Sequence, residues 1–101
     1  MKIQKPTIGR VVEVALRDPT RGTTARRPAF ITAVEMGGAD GINCRPILDG
    51  CNDKGVECTT DDSQCFWVTS IRHNGDGVIP EGQQASWRYP PRCTDEIDVD
   101  A

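Results

Sequence analysis

Turns rich in glycine and proline divide this chain into short segments, and this division restricts the fold more than any other feature. The chain has 10 glycines and 7 prolines among 101 residues, and pairs such as Asp49-Gly50 and Pro90-Pro91 mark turns or strand ends. Between the turns, residues alternate between apolar and polar or are enriched in β-branched and aromatic types, as in β-strands. Five strands are therefore predicted, at residues 8–16, 28–35, 42–48, 66–71 and 85–89.

Five short strands without a convincing helix predict an all-β protein, a small five-stranded antiparallel barrel. An SH3-like barrel is the first candidate, and an OB-like barrel or a small sandwich are the alternatives. The length suffices for one domain, which we predict for residues 1–94. Residues 95–101 form an acidic tail that we expect to be disordered.

Two connections between the predicted strands are long and polar. Residues 17–27 contain no apolar periodicity and are predicted to form a long exposed loop. Residues 51–65 form a connection longer than hairpin loops usually are. Residues 51–65 are therefore predicted to be an enlarged loop.

Four cysteines, Cys44, Cys51, Cys58 and Cys65, follow one another at intervals of seven residues, and Cys93 lies further along. A helical heptad is excluded because a proline and several glycines lie in or beside this interval. The gaps also differ from the close pairs that bind structural zinc, so no metal site is predicted. Cys44 is predicted to be a buried core residue, and the remaining three share one loop that a disulfide could close, from Cys51 to Cys58 or to Cys65.

The charge is distributed unevenly along the chain. Residues 1–34 carry seven basic and two acidic residues, whereas the rest of the chain carries five basic and thirteen acidic residues. The basic residues between 17 and 27 could contact phosphate or an acidic partner, although a solvated charged loop is the preferred interpretation. Nucleic acid is not predicted as a partner.

No set of residues typical of an enzyme can be assembled from the sequence. His73 is the only histidine, lies next to a glycine-rich turn and has no nucleophile or acid at a recognisable spacing. Asp49, Asn52 and Asp53 lack the ligand spacing of a calcium loop. The sequence thus predicts a protein without catalytic activity and without a cofactor.

The aromatic residues are the best candidates for recognition. Trp67 is predicted to lie in the core, whereas Trp87 and Tyr89 end a strand before Pro90-Pro91 and can be either buried or exposed. Exposed aromatic side chains on such a barrel can bind proline-rich or stacked ligands. If exposed, Trp87 and Tyr89 form the predicted binding site, with Arg88 and Arg92 as charged neighbours.

Several segments together resemble small proteins of unassigned function that are encoded by tailed phages and prophages. The matching segments are Pro6-Thr7-Ile8-Gly9-Arg10, Arg27-Pro28-Ala29 with Ile31, Leu48-Asp49-Gly50, Trp67-Val68-Thr69-Ser70 and Trp87-Arg88-Tyr89-Pro90-Pro91-Arg92. They occur in one order over residues 6–92. The resemblance implies an all-β fold and a viral origin. This chain departs from the resembling proteins at residues 51–65, which enlarge the connection after Asp49-Gly50.

These observations lead to a functional hypothesis of a phage-encoded, non-enzymatic binding module. Its partner would be a host protein, with counter-defence as one role, or a small charged ligand, and homo-oligomers are compatible with this hypothesis. The alternatives are an accessory protein of the phage head or tail and, with less weight, an acidic DNA mimic. No apolar segment is long enough to cross a membrane and no secretory signal is recognised, so the host cytoplasm is the expected location, or the virion for a structural protein.

Overall fold

Five strands close into a barrel in the computed structural model, which describes residues 2–62 and 65–99. The strands are β1 (Val11–Asp18), β2 (Thr23–Val34), β3 (Ile42–Pro46), β4 (Thr59–Thr60), β5 (Phe66–His73) and β6 (Ala85–Arg88). The barrel runs β1, β2, β3, β5, β6 and back to β1, and the two-residue strand β4 is attached to β5. The described residues contain no helix. The predicted all-β, five-stranded barrel is confirmed, and it is compatible with a small SH3-like or OB-like barrel.

Four of the five strand pairs in the barrel are antiparallel, as predicted, and one is not. β6 pairs with β5 in parallel through Arg72 with Ser86 and His73 with Trp87. Parallel neighbours cannot be joined by a tight hairpin turn. The connection of residues 74–84 supplies the return path along the barrel.

The first hairpin is much longer than the sequence indicated. β1 extends to Asp18 and β2 begins at Thr23, with Asp18 opposite Thr23 and Arg17 opposite Thr24. The predicted long exposed loop at residues 17–27 is therefore wrong, and only residues 19–22 form the turn. Polar residues extend these strands because the ladder of backbone hydrogen bonds continues and because Arg26 and Arg27 find carboxylate partners.

The core is built from the inward faces of all five barrel strands. Its fully buried members are Val12, Val14, Leu16, Ala29, Ile31, Ile42, Cys44, Val68, Ile71, Ala85 and Trp87. Cys44 is completely buried, which confirms its prediction as a core residue. Trp87 is the largest buried side chain and occupies the end of the barrel near Asp40.

Two irregularities bend the strands where the barrel closes. One extra residue, Thr32, enters β2 between Ile31 and Ala33 against two consecutive residues of β3. β5 also has an extra residue between Val68 and Ile71, where Ser70 has a φ of +53° and donates its N–H to the Asn43 Oδ1. Such bulges increase local twist and bending, which helps a five-stranded sheet to close.

Residues 51–62 of the connection after β3 do not form a free loop. Asp53 forms an ion pair with Arg27 of β2, and the Glu57 N–H donates to the Arg17 carbonyl oxygen of β1. A Cβ on Gly55 would lie 1.9 Å from the Thr20 Oγ1, so only glycine allows this close approach to the hairpin turn. Residues 53–57 are thereby fixed against the first hairpin.

Candidate binding surface

Three apolar side chains form an exposed strip on the outer face of β1, β2 and the end of β3. Val11, Phe30 and Ile47 are 43%, 46% and 46% exposed. Val11 lies directly opposite Phe30, and Phe30 lies opposite Arg45, two residues before Ile47. Side chains at such direct and diagonal positions of a sheet lie within contact distance of an aromatic ring. We call Val11, Phe30 and Ile47 the apolar strip.

The strip faces outward because of the alternation of side chains along each strand. Ala29 and Ile31 are buried in the core, so Phe30 between them must point to the opposite face. A single exposed apolar residue is ordinary on a protein surface. An aromatic residue with an apolar neighbour on each side forms a small contiguous apolar patch on this face.

Arginine side chains border the apolar strip. Arg45 is exposed opposite Phe30, and its Nη2 donates to the Cys65 Sγ at 2.8 Å. Glu13 is shared by two cations, because its Oε1 lies 2.7 Å from the Arg88 Nε and 3.8 Å from the Arg26 Nε. This part of the outer face therefore keeps an excess of positive charge.

The residues predicted to form a binding site are not on one surface. Trp87 is only 1% exposed, and its indole Nε1 donates to the Asp40 carbonyl oxygen at 2.8 Å. The exposure that a binding role would require is absent for Trp87, because its strand position faces the core. Tyr89 is half-buried. Its hydroxyl donates to the Gln4 carbonyl oxygen at 2.8 Å, and the Arg10 guanidinium lies 4.6 Å from its ring centre.

The two arginines of the predicted site have separate positions. Arg88 points to the outer face, where it pairs with Glu13, and Arg92 is exposed beyond the last strand. Trp67, predicted to be a core residue, is only half-buried, because it alternates with the inward-facing Val68. Trp67 is thus less buried than predicted.

The sequence pattern places Ile47 with Arg45 on the face opposite Cys44, as the structure shows, but it does not mark Val11 or Phe30 as exposed. Val11 and Val12 are adjacent, so they cannot both face the core of a regular strand. The sequence therefore indicates that one of these two valines is on the outer face. Phe30 stands in the run Ala29-Phe30-Ile31, where every residue is apolar and no alternation shows which one points outward. Ile47 lies beyond Pro46, the last residue of β3.

His73 is the final residue of β5 and not part of an exposed turn. Its ring is half-buried and contacts Trp87 edge-on at 4.9 Å between ring centres, and its backbone N–H donates to the Asp40 Oδ2. The position of His73 is explained by this packing. Within residues 2–62 and 65–99, no three histidine, cysteine or acidic side chains are grouped so that they could hold a metal ion.

The cysteines have different environments. Burial raises the pKa of Cys44 to about 12 and raises the pKa of the half-buried Cys58. Cys51 and Cys93 are exposed thiols. Both disulfides considered for the loop include Cys51, so neither is formed in this structure.

Thiol labelling is expected to distinguish these environments. A thiolate is the reactive species, and Cys44 is both protonated at neutral pH and inaccessible. With iodoacetamide at pH 8, we expect Cys51 and Cys93 to be alkylated at least a hundredfold faster than Cys44, as measured by peptide mass spectrometry. Alkylation of Cys44 at the rate of Cys51 in native protein would contradict the buried position. The same experiment without reductant tests the loop disulfide.

Comparisons with protein-family models, curated proteins and solved structures gave no significant match. The described part of the chain has no helix of the length and apolarity needed to cross a membrane.

Proposed function

We propose that this protein is a phage-encoded, non-enzymatic binding module that acts on a host protein in the host cytoplasm. The observation that supports this proposal is the apolar strip of Val11, Phe30 and Ile47 on an outer face of the barrel. The partner contacts this strip and carries acidic groups for the surrounding arginines.

The strip can supply a useful part of a binding free energy. Full burial of an exposed Val, Ile or Phe side chain is worth roughly 1.5–3 kcal/mol, and these three are already about half-buried. The remaining gain is on the order of 1 kcal/mol for each. A few residues at the centre of an interface usually contribute most of its affinity, and Phe30 has the central position here.

The charges near the strip determine which partners fit. Arg26 and Arg88 share Glu13, and Arg45 adds another positive charge. Acidic groups on a partner would increase the association rate and orient the complex. The binding should accordingly weaken as the salt concentration rises.

Affinity capture from phage-infected host cells tests the proposal. Wild-type protein, a Phe30→Ser variant and an Ile8→Ser variant would be used as bait. Ile8 is also exposed, at 68%, but is not part of the strip, so Ile8→Ser is a matched control. We expect one host protein to be retained by wild type and by Ile8→Ser and reduced at least tenfold by Phe30→Ser.

The same comparison can contradict the proposal. Equal capture by the Phe30→Ser and Ile8→Ser variants would show that the strip is not the binding surface. Far-ultraviolet circular dichroism of all three proteins verifies that the variants are folded. Because Phe30 points to solvent, its replacement should not disturb the core.

The exposed C-terminal segment favours a second function, that of an accessory protein of the phage head or tail. Ile97 and Val99 are 83% and 79% exposed and alternate with acidic residues. Residues 90–99 form no strand or helix, and residues 100 and 101 lie outside the described residues. An alternating apolar and acidic segment could bind between subunits of an assembly.

Sedimentation velocity separates the two functions. An accessory protein should form higher oligomers that the double variant Ile97→Ser, Val99→Ser abolishes, whereas a binding module should sediment identically with and without these changes. The third function considered, acidic DNA mimicry, has less support because Asp40 and Asp53 are paired with arginines within the chain.

A further inference from the structure

A cleft of about 370 Å³ opens at one end of the barrel. Its walls are formed by Leu48, Asp49, Gly50, Asp53, Lys54, Val56 and Phe66. Leu48 continues the inward face of Ile42, Cys44 and Pro46 in β3, and both Leu48 and Val56 pack against the core. The cleft is therefore the mouth of the barrel, partly covered by the connection that follows β3.

The cleft has an apolar wall and a polar rim. Leu48, Val56 and Phe66 form the apolar wall, and Phe66 is half-buried at the start of β5. The polar rim contains two carboxylates, Asp49 and Asp53, and one ammonium group, Lys54. Small-molecule sites commonly combine apolar walls with a few polar groups, and barrel mouths are among their usual places.

The two carboxylates of the rim already have partners. Asp53 accepts hydrogen bonds from the Arg27 Nε at 2.6 Å and from the Asp49 N–H at 2.7 Å. Asp49 accepts from the Cys51 N–H at 2.9 Å and from the Asn52 Nδ2 at 2.7 Å. These bonds hold the loop in shape, so the carboxylates serve to build the rim.

Lys54 differs from the carboxylates. It is exposed, and its ammonium group forms no hydrogen bond or ion pair with any part of the chain that the structure describes. An ammonium group beside an apolar wall is suited to a ligand with a negative group attached to an apolar body. The groups that donate hydrogen bonds to Asp49 are neutral, so this carboxylate keeps its negative charge. It would repel a doubly charged ligand more than a singly charged one.

We propose that this cleft binds a small monoanion with an apolar body, such as a carboxylate or sulfonate on an aromatic or aliphatic frame. The body packs on Leu48, Val56 and Phe66, and the anionic group pairs with Lys54. The volume lies within the usual range of small-molecule pockets, roughly 300–1,000 Å³. The site uses none of the residues of the apolar strip, so the proposed ligand site and the proposed function can be tested independently of each other.

Fluorescence titration with 8-anilinonaphthalene-1-sulfonate tests this site. The neutral analogue N-phenyl-1-naphthylamine has the same rings without the sulfonate and reports the apolar contribution alone. We expect one molecule of the sulfonate probe to bind per chain and to bind more tightly than the neutral probe. Lys54→Gln should weaken the sulfonate probe about threefold to fivefold, as for a partly exposed ion pair, and change the neutral probe by less than twofold. Lys2→Gln removes an exposed lysine outside the cleft and should change neither affinity.

Amide chemical shifts determine where the probe binds. Shifts confined to residues 48–56 and to Phe66 would support the cleft. Shifts centred on Val11 and Phe30 would overturn the proposal, since the probe would then be bound to the apolar strip. An unchanged sulfonate affinity in Lys54→Gln, or no binding of the sulfonate probe, would also overturn it.

Discussion

Replacement of Trp87 by alanine is expected to destabilise the protein by about 3–5 kcal/mol, the usual cost of removing a buried tryptophan. Trp87 is 1% exposed, contacts His73 and Tyr89 through edge-on ring packing, and donates a hydrogen bond to the Asp40 carbonyl oxygen. Its loss would leave a cavity and an unsatisfied carbonyl group at once. Since small domains are stable by only about 5–15 kcal/mol, a large fraction of the variant could be unfolded.

Urea unfolding followed by far-ultraviolet circular dichroism measures this effect. Trp67→Ala is the matched control, because Trp67 is half-buried on the outer side of β5, and it should cost only about 1–2 kcal/mol. Trp87→Phe keeps an aromatic ring but loses the hydrogen bond to Asp40, so we expect an intermediate cost. A larger loss for Trp67→Ala than for Trp87→Ala would contradict the assignment of Trp87 as the central core residue.

Replacement of Asp53 by asparagine is expected to lower stability by about 2–3 kcal/mol at pH 7. Removing one partner of a buried ion pair typically costs roughly 3–5 kcal/mol, and the value is reduced here because the Arg27 side chain is 26% exposed while that of Asp53 is 2% exposed. The variant removes the only carboxylate that pairs directly with Arg27 among the described residues, and Asp49 and Asp18 compensate its charge less well. It also weakens the attachment of the connection after β3 to the first hairpin.

The effect of Asp53→Asn should depend on pH in a defined direction. The Arg27 side chain, together with the Asp49 N–H, lowers the pKa of Asp53 below its ordinary value of 3.8, against the opposing effect of burial. A carboxyl with a lowered pKa stabilises the folded state above its unfolded pKa, and this contribution is lost as the pH falls through the folded pKa. The stability difference between wild type and variant should therefore be constant from pH 7 to about 5 and shrink below about pH 4.

Urea midpoints at pH 7, 5, 4 and 3 check this prediction. The pKa of Asp40 is also lowered, by hydrogen bonds that outweigh its burial, but this group is the same in both proteins and cancels in the comparison. The pKa of Asp49 is lowered by hydrogen bonds from Asn52 and Cys51 and raised by the nearby charge of Asp53, so only this last contribution differs between wild type and variant. Asp95→Asn changes an exposed carboxyl of the C-terminal segment and should behave as wild type at each pH. A difference between wild type and Asp53→Asn that grows as the pH falls would show that the ion pair is not the cause.

The sequence is a good guide to strands that are bounded by turn residues and a poor guide where polar residues continue a strand. β3, β5 and β6 were located to within two residues at each end, because β-forming residues there are bounded by turn residues. Residues 17–27 have the sequence pattern of a loop but form strands, because a local pattern cannot reveal that Thr23 and Thr24 find hydrogen-bonding partners across the hairpin. The positions of the candidate sites depend still more on residues that are distant in the sequence and adjacent in the fold.

Local sequence determined that this chain forms an all-β barrel, that the side chains of each strand divide into two faces, and that Cys44 lies in the core. It could not determine which face of a uniformly apolar run points inward, since alternation relates neighbouring residues to each other but not to the rest of the molecule. The closure of the barrel decided that Trp87 is buried and Phe30 is exposed. Only the tertiary structure brought Arg27 to Asp53 and Thr20 to Gly55, because these contacts join residues that are far apart in the chain and become neighbours once the barrel has formed.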